Sequence, residues 1–196
     1  PTGTTLSYDE VKAVADALPK NVLFFIDEAY IHFLPDGPNA IDLLKEGYDN
    51  VFVTRTFSKV YGLAGLRIGY GVGHPDVIKK VSTFQYTLMN LAGYGGAIAA
   101  LNDHEHVKKF VDHAKTCKAF YKKELTALGL KHIIGASPLL MVDVGQDSEV
   151  FVEKMAKENY HVRKGADWDM PQHVRISYGL EEDNKAAISA LKKLLT

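Results

Sequence analysis

Asn21-Val22-Leu23-Phe24-Phe25-Ile26-Asp27 is a continuous apolar run closed by an acid. It is short and does not alternate, so it predicts a strand buried on both faces, as in a parallel sheet. Val51-Phe52-Val53-Thr54 predicts a second buried strand. Between them lie a loop at Pro35-Asp36-Gly37-Pro38 and a short helix from Ile41 to Glu46. That is enough chain for the crossover that a parallel pair requires. Ahead of the first strand, Ser7-Tyr8-Asp9-Glu10 opens a helix carrying Val11, Val14, Ala15 and Leu18, and Pro19 closes it.

Downstream, a Gly-rich stretch from Gly62 to Gly73 holds a third candidate strand, Arg67 to Val72. A helix is expected from His74-Pro75-Asp76 to about Gln85, and a closely packed, small-residue helix from Leu91 to Leu101. Glu105 to Leu128 is the longest periodic segment, with Val107, Phe110, Val111, Ala114 and Cys117 on one stripe and Gly129 at its end. The pattern then changes to strands at Leu139–Val144, His161–Arg163 and His173–Tyr178, with helices at Glu149–Glu158 and Glu181–Leu195. The expected fold class is α/β: a mostly parallel sheet with flanking helices over residues 1–104, then the long helix and a smaller α+β unit over 105–196.

Lys+Arg number 23 and Asp+Glu 24, a formal charge of -1, which offers no electrostatic footprint for nucleic acid or an anionic membrane. No apolar run approaches the roughly 20 residues of a membrane-spanning helix, and no signal peptide is present. The single cysteine, Cys117, excludes an internal disulfide and a Cys-based zinc cluster. A cytoplasmic enzyme with small-molecule substrates is the expectation.

Chemistry concentrates where the two strands end. The first runs into Asp27-Glu28-Ala29-Tyr30 and the second into Thr54-Arg55-Thr56-Phe57-Ser58-Lys59; Tyr61-Gly62-Leu63-Ala64-Gly65-Leu66-Arg67-Ile68-Gly69-Tyr70 follows. Ligands of parallel sheets bind at the carboxyl ends of strands, where Asp27 and Lys59 fall. An enzyme using pyridoxal 5'-phosphate (PLP) needs a primary amine, a carboxylate against the pyridine nitrogen and a phenol near the ring oxygen. It also needs an arginine with hydroxyls for the phosphate. Lys59, Asp27, Tyr30, Arg67, Thr56 and Ser58 supply that set.

These residues carry a resemblance. Asp-x-Ala-Tyr, Thr-Phe-Ser-Lys and Gly-Leu-Ala-Gly-Leu-Arg-x-Gly-Tyr resemble the class I/II, fold-type I PLP-dependent aminotransferases, nearest to the histidinol-phosphate branch. The resemblance implies that Lys59 is the Schiff-base residue and that Arg67 and Thr56 contact the cofactor phosphate. Ser58 takes another hydroxyl position of the motif, and Asp27 and Tyr30 are its acid and phenol. Val174-Arg175-Ile176-Ser177-Tyr178-Gly179 resembles the segment whose arginine, here Arg175, binds a substrate's acidic group. His161-Val162-Arg163-Lys164-Gly165 resembles a Val-Arg-Pro-Gly turn in which Arg163 faces substrate; Lys164 departs from the usual proline. The likeness runs from Pro1 to Thr196, yet Pro1-Thr2-Gly3 resembles the tail of an Asn-Pro-x-Gly element. The expectation is therefore a C-terminal portion, lacking upstream strands and most of the phosphate cup, and with little or no activity alone.

Blander readings compete. Gly69-Tyr70-Gly71-Val72-Gly73 lacks the full dinucleotide fingerprint, and close strand packing explains its glycines better. His104, His106 and His113 lack the carboxylates of a metal site and read as solvated, so no metal is expected. Cys117 reads as core, and Phe84, Tyr86 and Tyr94 as packing at a helix or subunit contact. Arg175 also suits a structural ion pair.

The activity implied is amino transfer, in histidine biosynthesis, between a donor (histidinol phosphate or an aromatic amino acid) and a 2-oxo acid such as 2-oxoglutarate. Lys59 would move a proton at the substrate α-carbon, and the intact protein would be a homodimer. Threonine-phosphate-type decarboxylation is the alternative on the same cofactor. A non-catalytic ligand-sensing domain ranks below both.

Overall fold

The computed structural model describes residues 2–34, 37, 39–85 and 89–195. Pro35, Asp36 and Pro38 of the expected loop, and Tyr86, lie outside them. The chain divides into two compact units, Leu6–Val111 and Pro1–Thr5 with Asp112–Thr196.

The first unit opens with α1 (Tyr8–Ala17), started by a capping box. The Ser7 hydroxyl accepts from the Glu10 N–H while a Glu10 carboxylate oxygen accepts from the Ser7 N–H, satisfying two helix-end donors. The unit continues with β1 (Phe24–Asp27), α2 (Ile41–Lys45), β2 (Val51–Thr56), β3 (Gly69–Gly73), α3 (Pro75–Ser82), α4 (Leu91–Asn102) and the start of α5 (His104–Ala127). The sheet order is β1-β2-β3. β1 and β2 run parallel, with Asp27 opposite Thr54, as the crossover through α2 requires.

β3, whose direction the sequence leaves open, pairs antiparallel to β2, with Thr56 opposite Gly69 and Phe52 opposite Gly73. Its connection from β2 contains only a single 3-10 turn, Ala64–Leu66, and so cannot carry the chain back for a parallel start. The loop folds on itself through Phe57 N–H to the Ile68 carbonyl and Leu63 N–H to the Phe57 carbonyl. The glycines of β3 serve the Phe52 ring: a Cβ at Gly71 would stand 2.4 Å from Phe52 Cζ, and one at Gly73 2.9 Å from Cδ2.

β1 is not buried on both faces. It is an edge strand, and its residues alternate. Phe24 and Ile26 join Val11, Ala15, Ala40, Leu43, Val51 and Val53 in the core, whereas Phe25 points away and is 56% exposed. β2, with a neighbour on each side, buries Val51, Phe52 and Val53 in succession. α4 packs less closely than expected: Gly93 and Ala97 are buried, but Leu91, Tyr94, Ile98 and Leu101 are exposed. On α5, Phe110 likewise leaves the buried stripe and lies against His106.

The second unit contains the rest of α5, β4 (His132–Ile134), β5 (Leu139–Asp143), α6 (Ser148–Lys157), β6 (Arg163–Lys164), β7 (His173–Ser177) and α7 (Glu181–Leu195). Its antiparallel sheet has the order β4-β5-β7-β6. Alternate residues Leu140, Val142, Val174 and Ile176 meet Tyr121, Leu125, Phe151, Met155 and Leu191 in one core. The opposite face carries Met141 and Arg175, which are register partners. The N-terminal residues belong here because Gly3 lies against Gly135, where an added Cβ would come within 1.7 Å of the Gly3 carbonyl oxygen. The division between units falls within α5, after Val111, rather than ahead of that helix.

Asn184 locks the start of α7. Its Oδ1 accepts from the Tyr121 hydroxyl at 3.0 Å and the Gly179 N–H at 2.9 Å, while its Nδ2 donates to the Gly179 carbonyl and Cys117 Sγ. Cys117 is buried, and that burial raises its thiol pKa. His113 is not simply solvated, since Nε2 lies 2.9 Å from the Gly179 carbonyl oxygen. His106 Nε2 is also shielded from solvent.

Candidate active site

Five of the expected residues come from the ends of β1 and β2 and the turns that follow. Asp27 is the last residue of β1, exposed, with one carboxylate oxygen accepting from the Ala29 N–H at 3.0 Å. That bond turns the chain directly after the strand and leaves the other carboxylate oxygen without a hydrogen bond among the described residues. Tyr30 follows at the head of a 3-10 turn, Ile31–Phe33. Lys59 stands in the loop after β2, and its Nζ lies 5.2 Å from the centroid of the Tyr30 ring. A cation at that distance is attracted by the ring quadrupole, so amine and phenol are held together.

Thr56 and Ser58 form a second pair. The Thr56 hydroxyl donates to Ser58 Oγ at 2.9 Å and accepts from the Ser58 N–H at 3.0 Å. Arg67 sits in the left-handed region at φ 51°, where the loop reverses into β3. Its Nη1 donates to the Ala64 carbonyl at 2.9 Å, and the guanidinium is otherwise exposed. A lysine, a carboxylate, a phenol and two hydroxyls thus follow the carboxyl ends of two parallel strands, with an arginine where the loop reverses into β3. This donor set fits a phosphorylated, nitrogen-containing aldehyde.

Beneath them is a pair that reading by motif overlooked. Glu28 is 8% exposed and accepts on Oε2 from Arg55 Nε at 2.8 Å, while its Oε1 accepts from the Ala40 N–H at 2.7 Å. Arg55 also donates to Asn39 Oδ1 at 2.7 Å. The network ties the end of β1 to β2 and to the start of α2. The signal was present in sequence, as opposite charges beside Asp27 and Thr54 at the ends of adjacent strands. His32 is likewise half-buried, edge-on to Tyr61 at 5.0 Å. Burial, and then the Arg55 charge, lower its pKa.

Arg163 and Arg175 belong to the second unit, directly opposite one another on β6 and β7. Arg163 Nε donates to Asp167 at 3.0 Å. Both guanidiniums lie over Trp168, at 5.5 Å and 4.8 Å from the ring centroid. Sequence reasoning missed Trp168, although it is the sole tryptophan. Lys164, at the departure from the proline of the motif, is paired with Glu149. Arg175 has no carboxylate within ion-pair distance among the described residues. Among those residues there is also no cluster of three or more metal-ligating side chains, and no helix long and apolar enough to cross a membrane.

Histidinol-phosphate aminotransferase 1 of Nitrosococcus oceani is 38% identical over all of this chain and 53% of its own length. The histidinol-phosphate aminotransferase of Caldicellulosiruptor saccharolyticus is 36% identical over all of this chain and 55% of its own. The chain thus spans about half the length of the curated relatives it matches. The crystal structure of histidinol-phosphate aminotransferase from Sinorhizobium meliloti, in complex with pyridoxal-5'-phosphate, superposes with a TM-score of 0.89 at 28% identity. That match covers all of this chain and 54% of the crystallised one. The family model for aminotransferase class I and II matches residues 1–191, and the chain belongs to that family.

Proposed function

We propose that this chain is the lysine-bearing part of a PLP-dependent aminotransferase that moves an amino group between histidinol phosphate and a 2-oxo acid such as 2-oxoglutarate. The observation that carries the reading is the Lys59 amine held over Tyr30, with Asp27 ending the neighbouring strand, at the carboxyl ends of parallel strands. Bound PLP supplies an aldehyde that accepts the amino group and a ring that withdraws electrons from the substrate α-carbon.

Asp27 would hold the ring nitrogen in its protonated form, because a carboxylate beside that nitrogen favours the cation. Tyr30 donates to the ring oxygen. Thr56, Ser58 and Arg67 would hold the phosphate, the arginine supplying charge-assisted N–H donors and the two hydroxyls further ones. Lys59 would hold the cofactor through its primary amine and would carry a proton at the substrate α-carbon. In the second unit, Arg175, with Arg163, would offer guanidinium donors to an acidic group of the donor. The intact enzyme works as a homodimer, and this chain alone has little or no turnover because it represents about half of the relatives' length.

The test has two parts. PLP added to the protein, followed by borohydride and peptide mapping, yields a reduced adduct on Lys59. A panel of donors on the intact enzyme then gives glutamate from 2-oxoglutarate without release of CO₂. An adduct spread over other lysines sinks the cofactor assignment; CO₂ without glutamate selects a decarboxylase.

A further inference from the structure

Cross-strand partners of like charge repel, and Arg163 and Arg175 are cross-strand partners on β6 and β7. Arg163 is relieved by Asp167, whose carboxylate it reaches at 3.0 Å. Arg175 has no such relief among the described residues. Its Nε is moreover buried without a hydrogen-bond partner, and its other register neighbour, Met141, is fully buried and apolar. A partly buried cation with no counter-ion is costly, so something else must offset it.

That partner is the Trp168 indole, 4.8 Å from the Arg175 guanidinium carbon and 5.5 Å from that of Arg163. The local chain is built to deliver it. Gly165 opens a 3-10 turn, Gly165–Trp168, so tight that a Cβ there would stand 2.4 Å from the Met170 carbonyl oxygen. Asp169 leaves the turn in the left-handed region at φ 56°. The Ala166 N–H donates to Ser148 Oγ at 3.3 Å, and the Ser148 N–H donates to the Pro171 carbonyl at 2.8 Å, fastening the turn to α6.

We propose that Trp168 is the positioning residue of this arginine pair. Its ring stands in for a counter-ion and leaves the edge donors of Arg175 free for an oxyanion. The distinction is chemical. A carboxylate partner would occupy the in-plane N–H groups and compete with any acidic ligand, whereas an aromatic ring engages the face of the guanidinium. Arg163, with its Nε already on Asp167, contributes the weaker half of the clamp. The ligand is a carboxylate or phosphate monoester group. The proposal rests on the aminotransferase reading only in taking that anion to be part of the amino donor.

As the sole tryptophan, Trp168 reports on the clamp directly. Inorganic phosphate and succinate are titrated separately into the cofactor-free chain at constant ionic strength, with tryptophan emission as the readout. A saturable change is expected, absent in Arg175→Gln. The tighter of the two anions identifies the group bound. By calorimetry, Trp168→Leu weakens that binding about tenfold, the scale of one desolvated cation–π contact. Trp168→Tyr restores it to within about threefold, which a merely structural role would not produce. Unchanged emission with both anions overturns the proposal, as does a folded Trp168→Leu that binds like the parent. If Trp168→Leu does not fold, the parent emission and Trp168→Tyr decide. Lys59 trapping tests the proposed function through the other unit. A silent indole with a trapped Lys59 defeats this inference alone, and a responsive indole without trapping defeats the other.

Discussion

The Nζ of Lys59 lies 5.2 Å from the centre of the Tyr30 ring, joining the turn after β1 to the loop after β2. Lys59→Arg keeps a cation over that ring and therefore keeps the fold, but it removes the primary amine. Borohydride trapping at this position is expected to vanish, and amino transfer by the intact enzyme to fall by about 10³-fold or more, the contribution of a positioned proton carrier with its covalent link. Melting temperature checks the fold, and single-turnover rates check the chemistry.

Glu28 is expected to matter for stability more than any surface acid. Glu28→Ala strands the Arg55 guanidinium, which has a side chain only 16% exposed, and orphans the Ala40 N–H. Breaking one side of such a pair costs about 3 kcal/mol, and denaturant titration should read it as a lowered midpoint. Because the pair anchors the end of β1, retention of PLP should weaken as well.

Gly71→Ala tests the Phe52–glycine packing. The new Cβ meets the Phe52 ring at 2.4 Å, so overpacking should cost about 1–3 kcal/mol. Adding Phe52→Leu should recover part of that loss, and a double-mutant cycle measures the coupling.

Acid sensitivity near neutrality should trace in part to His32. Burial holds its folded-state pKa below the ordinary 6.5. The unfolded chain therefore takes up a proton first as the pH drops through that value, and unfolding gains. Stability contributed by the neutral ring is complete above about pH 6.5 and declines below it, down to the depressed folded pKa. Thermal melts between pH 7.5 and 5.5 should show a smaller slope for His32→Gln than for the parent.

The candidate site could be picked out in sequence because the residue types such chemistry needs sit next to each other there. Asp27 and Tyr30 share one strand end, Thr56, Ser58 and Lys59 another, and the structure brings Lys59 to Tyr30 and Thr56 to Ser58. What escaped depends on partners far along the chain. The Glu28–Arg55 pair spans two strands, and Trp168 acquires meaning only when the β6–β7 register sets two arginines opposite each other. Helix ends with local signals, such as the Ser7–Glu10 box and the residues bounding α7, were readable to within a residue. The direction of β3 was not, since Gly-rich sequence specifies neither face nor orientation. Nor was the exposure of Phe25, because an apolar run looks the same on a central strand as on an outer one.

That outer strand has a practical consequence. Among the described residues β1 pairs with β2 alone, so its other side presents a row of backbone donors and acceptors flanked by the side chains of Val22, Leu23 and Phe25, all at least 40% exposed. Such a border is adhesive toward any extended peptide, another molecule of the same kind included. Self-association through this border is expected to rise with concentration, and Phe25→Lys, which puts a charge on it, should reduce it.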